Sequence, residues 1–162
     1  MTTWELRTRI RLASPRPEVF AFFADAANLE AITPPWLRFR ILTPQPIEMR
    51  PGAPIEYRLR LHGLPIRWKT EITAWDPPGR FVDEQRSGPY RLWVHEHTFE
   101  DAPGGGTFVM DRVRYRVPFG RLANWLLVAR DVRTIFTWRS EALLRSFGGG
   151  DAEPVVITEV AE

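Results

Sequence analysis

Two histidines, His95 and His97, stand two residues apart in a stretch whose residue types could do acid–base chemistry. Alternate residues of a β-strand share a face, so both imidazoles point to the same side of the strand. The same alternation groups their neighbours: Trp93 and Phe99 share the histidine face, and Asp83 and Gln85 share one face of the preceding strand. An imidazole beside a carboxylate can serve as a general acid or base on a bound carbonyl compound.

A Gly-Pro turn at residues 88–89 sets the register between these two strands. If the turn pairs Gln85 with Trp93, antiparallel counting pairs Asp83 with His95. The loop length permits other registers, but only even shifts keep these side chains on a common face. We therefore expect Asp83 to face His95.

The glycine-rich loop at residues 101–106 sets the register with the following strand. If that loop pairs Phe99 with Val109, it also pairs His97 with Asp111. Each histidine would then face a carboxylate: His95 would face Asp83, and His97 would face Asp111.

The four residues Asp83, His95, His97 and Asp111 have three interpretations. They can be buried polar groups that satisfy each other's hydrogen bonds and only hold the sheet together. They can orient a bound ligand. Alternatively they are catalytic residues, with a carboxylate fixing the tautomer of the imidazole that acts as acid or base.

No metal or organic cofactor is predicted. Two histidines at i and i+2 with a nearby aspartate could bind zinc, but the chain has no cysteine and its third histidine, His62, lies at a predicted hairpin tip. The glycine clusters at 104–106 and 148–150 do not join a strand to a helix, as a phosphate-binding loop does. No nucleophile motif is present.

Composition excludes several classes of function. The chain has 162 residues, no cysteine and a formal charge of +2, and its arginines are scattered, so nucleic-acid binding is not expected. The longest strictly apolar run, residues 125–129, is too short to span a membrane, so integral membrane association is not expected. The lack of cysteine and of a signal-like start fits a cytoplasmic protein. The oligomeric state stays open.

Periodicity predicts a strand at residues 4–12, then two short helices and six more strands. Ser14 is expected to cap the first helix, with Pro15 at its first position, and Asn28 to cap a second helix that ends at Pro34. The six strands are expected at residues 36–42, 55–61, 66–74, 81–86, 90–99 and 107–117.

Apolar residues then recur every three or four positions from Leu122 to Phe147, which predicts a long amphipathic helix. Arg139 falls near the apolar stripe, where it needs a carboxylate or an anionic ligand head group unless it reaches solvent. Glycines 148–150 end the helix, and residues 148–162 are expected to be a flexible tail, although 155–157 could add a strand to a neighbour.

These elements predict one α+β domain at residues 1–147. Only the C-terminal helix is long enough to cover the concave face of a curved antiparallel sheet of about seven strands. A strongly curved sheet leaves a cavity between itself and that helix.

Several segments carry a family resemblance: residues 14–23 (SPRPEVFAFF), 28–29, 33–35, 81–85 (FVDEQ), 88–91 (GPYR), 93–99 (WVHEHTF), Asp111 and 115–118. With the element order, they resemble the helix-grip fold of the START-like, or SRPBCC, superfamily, in particular the polyketide cyclase/dehydrase and lipid-transport group and a bacterial subgroup of it. The resemblance covers about residues 3–147. It implies a fold with a cavity, and it implies no single activity because the superfamily includes carriers, sensors and enzymes.

The predicted function is binding or transport of a hydrophobic or amphipathic small molecule, such as a lipid, isoprenoid or polyketide. An enzyme of cyclase or dehydratase type and a regulatory interaction module are the alternatives. The candidate ligand-binding residues are Trp68, Gln85, Trp93, His95, His97, Phe99, Tyr115, Trp125, Phe136 and Arg139.

Overall fold

An eight-stranded antiparallel sheet and a long C-terminal helix make up most of the protein, and the computed structural model describes residues 1–160. The elements in chain order are β1 (Thr3–Leu12), α1 (Arg16–Ala24), 3-10 helices at Ala26–Leu29 and Pro35–Leu37, β2 (Arg40–Ile41), β3 (Pro54–Leu61), β4 (Leu64–Asp76), β5 (Arg80–Ser87), β6 (Leu92–Asp101), β7 (Thr107–Arg116), α2 (Gly120–Ala123), a π-helical turn at Asn124–Val128, α3 (Ala129–Phe147) and β8 (Val156–Val160). The predicted α+β helix-grip fold is confirmed, with eight strands in place of about seven.

The strands follow the order β2-β3-β4-β5-β6-β7-β1-β8 across the sheet. Two register shifts interrupt the pairing of β4 with β5, between Lys69 and Thr70 and between Ile72 and Ala74. Register shifts of this kind bend a strand and increase its twist. The sheet therefore curves where β4 pairs with β5, beside Asp83.

Three apolar clusters pack on the sheet, and the smallest consists of Leu37, Leu59 and Trp68. The first packs α1 and the end of α3 onto the sheet, with Phe20, Phe99 and Leu143 among its buried residues. The second packs the middle of α3 onto β1 and β7, with Val132 and Phe136 as its buried helix residues. No helix within residues 1–160 is long and apolar enough to cross a membrane.

The two helix caps predicted near the N-terminus are wrong. Pro15, not Ser14, is the residue before α1, and the Ser14 carbonyl instead accepts a hydrogen bond of 2.8 Å from Thr107 Oγ1. Asp25 caps the next helical turn by accepting from the Ala27 amide at 3.0 Å. Asn28 lies inside that turn, where its side chain donates to the Phe22 carbonyl.

The strand predicted at residues 36–42 is much shorter than expected. Pro35 begins a 3-10 helix, and Arg38 then adopts a left-handed conformation with φ of 46°. An extended strand cannot contain this conformation. Only Arg40–Ile41 remain to pair with β3.

The prediction of a flexible tail is wrong for residues 156–160. Strand β8 pairs antiparallel with β1, and the Arg11 amide donates to the Asp151 carbonyl at 2.9 Å. Gly150 has φ of 117°, and a Cβ there would lie 1.8 Å from the Arg11 carbonyl oxygen. The glycine run therefore lets the chain pass against β1, and β8 extends the sheet past the predicted domain end at residue 147.

Candidate functional site

A cavity of about 810 Å³ lies between the concave face of the sheet and the C-terminal helix, residues 120–147. This volume lies within the usual range for sites that bind small molecules. Most of its wall is apolar, and β3, β4 and α3 contribute much of it. Residues from these three elements include Ile55, Tyr57, Leu59, Ile66, Trp68, Ile72, Val132, Ile135 and Phe136.

The histidine–aspartate cluster, defined as Asp83, His95, His97 and Asp111, lies at one side of the cavity. Its first three members line the cavity, whereas Asp111 is buried and does not. The backbone register predicted from the sequence is present: Asp83 pairs with His95, and His97 with Asp111. The closest side-chain contacts cross this register. His97 Nε2 lies 2.9 Å from Asp83 Oδ2, and His95 Nε2 lies 2.8 Å from Asp111 Oδ1.

Each carboxylate of the cluster therefore lies near both imidazoles. His97 Nδ1 is 3.2 Å from Asp111 Oδ1, and His95 Nδ1 is 3.8 Å from Asp83 Oδ2. Thr70 Oγ1 donates to Asp83 Oδ1 at 3.2 Å. Three neighbouring strands, β5, β6 and β7, thus supply one closed group of polar side chains.

Arg139 of α3 completes the cluster from the helix side. Its Nε donates to Asp111 Oδ2 at 3.3 Å, and only 8% of the residue is exposed. The prediction that this arginine needs a carboxylate partner is met by Asp111, and the alternative that it reaches solvent is wrong. The contact ties the helix to the sheet beside the cavity.

The two imidazoles differ in their proton affinity. Burial works to lower the pKa of His97, but hydrogen bonds to Asp111 and Asp83 outweigh burial and raise it. Burial lowers the pKa of His95, and the positive charge of His97 adds to that effect. The cluster therefore binds a proton more readily at His97 than at His95.

Both carboxylates are held in their charged form. Burial opposes the charge on Asp111, but Arg139 and the two histidines keep its pKa well below the usual range. Burial likewise opposes the charge on Asp83, and the hydrogen bond from His97 lowers its pKa. With His97 protonated, the two negative charges are balanced by His97 and Arg139.

The Nδ1 atom of His95 lies 3.8 Å from Asp83 Oδ2, beyond hydrogen-bond distance. When Nε2–H donates to Asp111, Nδ1 carries a lone pair, and no donor within residues 1–160 hydrogen-bonds it. His95 is one of the lining residues. A neutral imidazole with a free Nδ1 can accept a proton or a hydrogen bond from a ligand hydroxyl.

An aromatic wall adjoins the cluster and consists of Tyr57, Trp68, Tyr90 and Trp93. Trp68 stacks on Tyr57 with 5.7 Å between ring centroids and meets Trp93 edge to face at 5.3 Å. Tyr90 lies 4.6 Å from Trp93. All four side chains line the cavity, so flat apolar groups of a ligand can pack against them.

The sequence prediction missed Tyr57 and Tyr90. Tyr57 alternates with Ile55 and Leu59 on the inward face of β3, so period-two spacing was sufficient to find it. Tyr90 lies in the irregular segment between β5 and β6, where no strand periodicity applies.

Six of the ten predicted ligand-binding residues line the cavity: Trp68, Trp93, His95, His97, Phe136 and Arg139. Three others do not, because they are engaged elsewhere. Phe99 packs against Phe20 and Phe23 of α1, at 5.2 and 5.0 Å between ring centroids. The buried Tyr115 donates its hydroxyl proton to Asn124, and Gln85 hydrogen-bonds the backbone of Tyr90.

Trp125 is the largest error in the predicted site, because 77% of it is exposed to solvent. The cause is the π-helical turn at Asn124–Val128. A π turn holds one residue more than an α turn, and one extra residue rotates a helix face by about 100°. Asn124 is buried in place of Trp125.

Asp83, His95 and His97 are the residues that could hold a metal ion, since each offers a ligand atom within 4.8 Å of the other two. Two features oppose this use. The histidine nitrogens closest to carboxylates are engaged in hydrogen bonds, and the Arg139 guanidinium lies beside the cluster. The arrangement fits a charge-balanced hydrogen-bond network better than a cation site.

Comparison with solved structures gives the fold independently. The chain is similar to protein CV1439 from Chromobacterium violaceum (TM-score 0.70, 14% identity, 90% of this chain and 98% of that one). It is also similar to ginseng major latex-like protein 151 from Panax ginseng (TM-score 0.66, 14% identity, 91% and 99%) and to protein Ms6760 from Mycobacterium smegmatis (TM-score 0.64, 20% identity, 86% and 87%). At these identities the likeness shows the fold alone.

Sequence comparison identifies the family. No curated protein matches the chain significantly. The family model described as polyketide cyclase / dehydrase and lipid transport matches residues 12–147, which include α1, all of β3 to β7 and the long helix. The chain therefore belongs to the polyketide cyclase / dehydrase and lipid transport family.

Proposed function

We propose that the protein binds a hydrophobic or amphipathic small molecule in its internal cavity. The observation that carries the proposal is the cavity itself, about 810 Å³ in volume and lined mainly by apolar and aromatic side chains. A lipid, an isoprenoid or a polyketide-like molecule has the required apolar surface. Burial of that surface would supply most of the binding free energy, at about 25 cal/mol per Å².

The cluster beside the cavity supports a ligand that also carries a polar group. His95 and Asp83 line the cavity, whereas the charges of the cluster are balanced internally. A neutral hydroxyl or carbonyl group suits such a wall better than a second charge, because an extra buried charge would have no partner. A polar group at one point of an apolar ligand would fix its orientation.

Native mass spectrometry of the purified protein tests this proposal. We expect a species heavier than the polypeptide, and organic extraction should release a small molecule that accounts for the added mass. A protein that carries only its polypeptide mass, and gains none when incubated with a lipid extract, would contradict the proposal.

A second candidate, an enzyme of cyclase or dehydratase type, is favoured by the free Nδ1 of His95. Burial and His97 lower the pKa of His95, but the nearby Asp83 and Asp111 carboxylates favour its protonated form, so His95 can take a proton from a bound substrate while Asp111 holds the ring orientation through Nε2. The molecule extracted from the His95→Gln variant can be incubated with the wild-type protein and with the variant. A carrier leaves the molecule unchanged in both, whereas an enzyme converts it and the variant binds without turnover.

A role as a regulatory interaction module and a cytoplasmic location stay predictions from the sequence.

A further inference from the structure

The start of the C-terminal helix exposes an unusual set of large apolar side chains. We call the residues Phe119, Leu122, Trp125 and Leu126 the apolar rim. Phe119 is 93% exposed, Leu122 is 65% exposed and Leu126 is 58% exposed, and Trp125 is the most exposed tryptophan of the described chain. Leaving this much apolar surface in water is unfavourable, and a contiguous apolar patch of this kind marks an interaction site.

The geometry of the helix produces this exposure. Counted as one uninterrupted α-helix, Trp125 would share a face with Val132 and Phe136, which are buried on the sheet. The π-helical turn rotates the earlier residues away from that face. The helix thus carries two apolar stripes, one against the sheet and one that faces solvent.

The apolar rim continues into the mouth of the cavity. Phe119 of the rim lines the cavity, and so does Leu127, which follows Leu126 in the chain. Leu64, at the tip of the β3–β4 hairpin, lines the cavity as well. His62 at that tip hydrogen-bonds Asp131 of α3 at 2.7 Å, which holds the hairpin and the helix close together. A ligand that passes between hairpin and helix would meet the apolar rim.

Arginines accompany the rim on the same helix. Arg130 and Arg133 are exposed, whereas Arg121 is ion-paired with Glu159 of β8. The single acidic residue between Phe119 and Thr134 is Asp131, which is engaged by His62. Tryptophan, phenylalanine and leucine flanked by arginines are typical of a helix that lies in the interface of a bilayer. The basic side chains would meet anionic head groups.

We propose that the apolar rim docks on the surface of an anionic lipid bilayer, with the cavity mouth facing the lipid. The site is a peripheral contact, made by four side chains on one helix and the loop before it. It goes beyond ligand binding because it assigns a partner to a surface outside the cavity, and it does not depend on what the cavity holds.

Vesicle flotation tests this proposal with phosphatidylcholine vesicles and with vesicles that also contain phosphatidylglycerol. The wild-type protein should float with the anionic vesicles, and added salt should weaken its binding. Trp125→Glu should reduce binding at least about tenfold, because it removes a large apolar group from the contact and adds a negative charge. The side chain is exposed, so the melting temperature should stay unchanged.

Trp36→Glu is the matched control. Trp36 is also exposed, at 53%, and packs edge to face on Trp138, which lies about 20 Å further along the helix than Trp125. This variant should bind anionic vesicles as the wild type does. The proposal would be overturned if Trp36→Glu and Trp125→Glu lost vesicle binding to the same extent. It would also be overturned if the wild-type protein bound neither kind of vesicle.

Size-exclusion chromatography with light scattering separates a protein partner from the lipid one. A wild-type dimer that Trp125→Glu converts to a monomer, without vesicle binding by either, would show that a second copy covers the rim and would overturn the proposal. Vesicle binding by a protein whose cavity takes up no ligand would leave the docking surface intact and would refute only the proposed function.

Discussion

At the scale of single residues, the histidine–aspartate cluster holds buried ion pairs together and also forms part of the cavity wall. Asp111 receives contacts from His95, His97 and Arg139 while it is almost completely buried. The sequence could predict which residues face each other, because strand register follows from turn positions. It could not predict the crossed contacts, since these depend on side-chain rotamers and on an arginine from a distant helix.

Replacing Arg139 by Met should destabilise the protein strongly. The change leaves the buried Asp111 without its guanidinium, and breaking one partner from a buried ion pair costs about 3 to 5 kcal/mol. Urea denaturation measures the free energy of unfolding. Arg133→Met, an exposed position on the same helix, is the control and should change it by no more than about 0.5 kcal/mol. Similar effects from both substitutions would contradict the assigned role of Arg139.

His97 should make part of the stability depend on pH. Its pKa is raised in the folded protein, so its contribution is complete below the unfolded-state pKa of about 6.5 and is lost as pH rises through the folded-state pKa. The difference in unfolding free energy between wild type and His97→Gln should therefore shrink on going from about pH 6 to about pH 9. Denaturant titrations across this range check the sign. A difference that grows with pH would contradict the assignment of the proton to His97.

At the scale of elements, the deviations from the sequence prediction come from backbone features without a periodic signal. The π-helical turn at Asn124–Val128 rotates Trp125 outward, although spacing alone places that residue on the buried stripe. Gly150 permits a close approach to Arg11. A run of glycines can form a flexible linker or let the chain pass close to a neighbouring strand, and its composition is the same in both cases. The pairing of β8 with β1 could therefore not be predicted from residues 148–150.

Strand β8 should contribute measurably to stability through one of its faces. Ile157 packs against the second core, whereas its neighbour Val156 is 52% exposed. Ile157→Asp should lower the unfolding free energy by about 1 to 3 kcal/mol, because a charge would replace an apolar contact. Val156→Asp should change it by no more than about 0.5 kcal/mol. If the two substitutions had the same small effect, β8 would not be packed as described.

At the scale of the whole molecule, one helix and one curved sheet create both the cavity and its polar wall. The sequence predicts this architecture because the order of strands and helices leaves a single long helix to cover the sheet. Membership of the polyketide cyclase / dehydrase and lipid transport family agrees with it. The chemical identity of the ligand could not be predicted, because apolar walls accept many molecules and the cluster satisfies its own charges.

Binding of the neutral fluorescent probe N-phenyl-1-naphthylamine tests the central claim, a cavity that takes up apolar molecules. The wild-type protein should bind the probe saturably. Ile135→Trp enlarges a side chain that lines the cavity and should weaken binding at least about tenfold. Thr137→Trp, an exposed change on the same helix, should bind as the wild type does. Absence of saturable binding, or equal binding by all three proteins, would contradict the account.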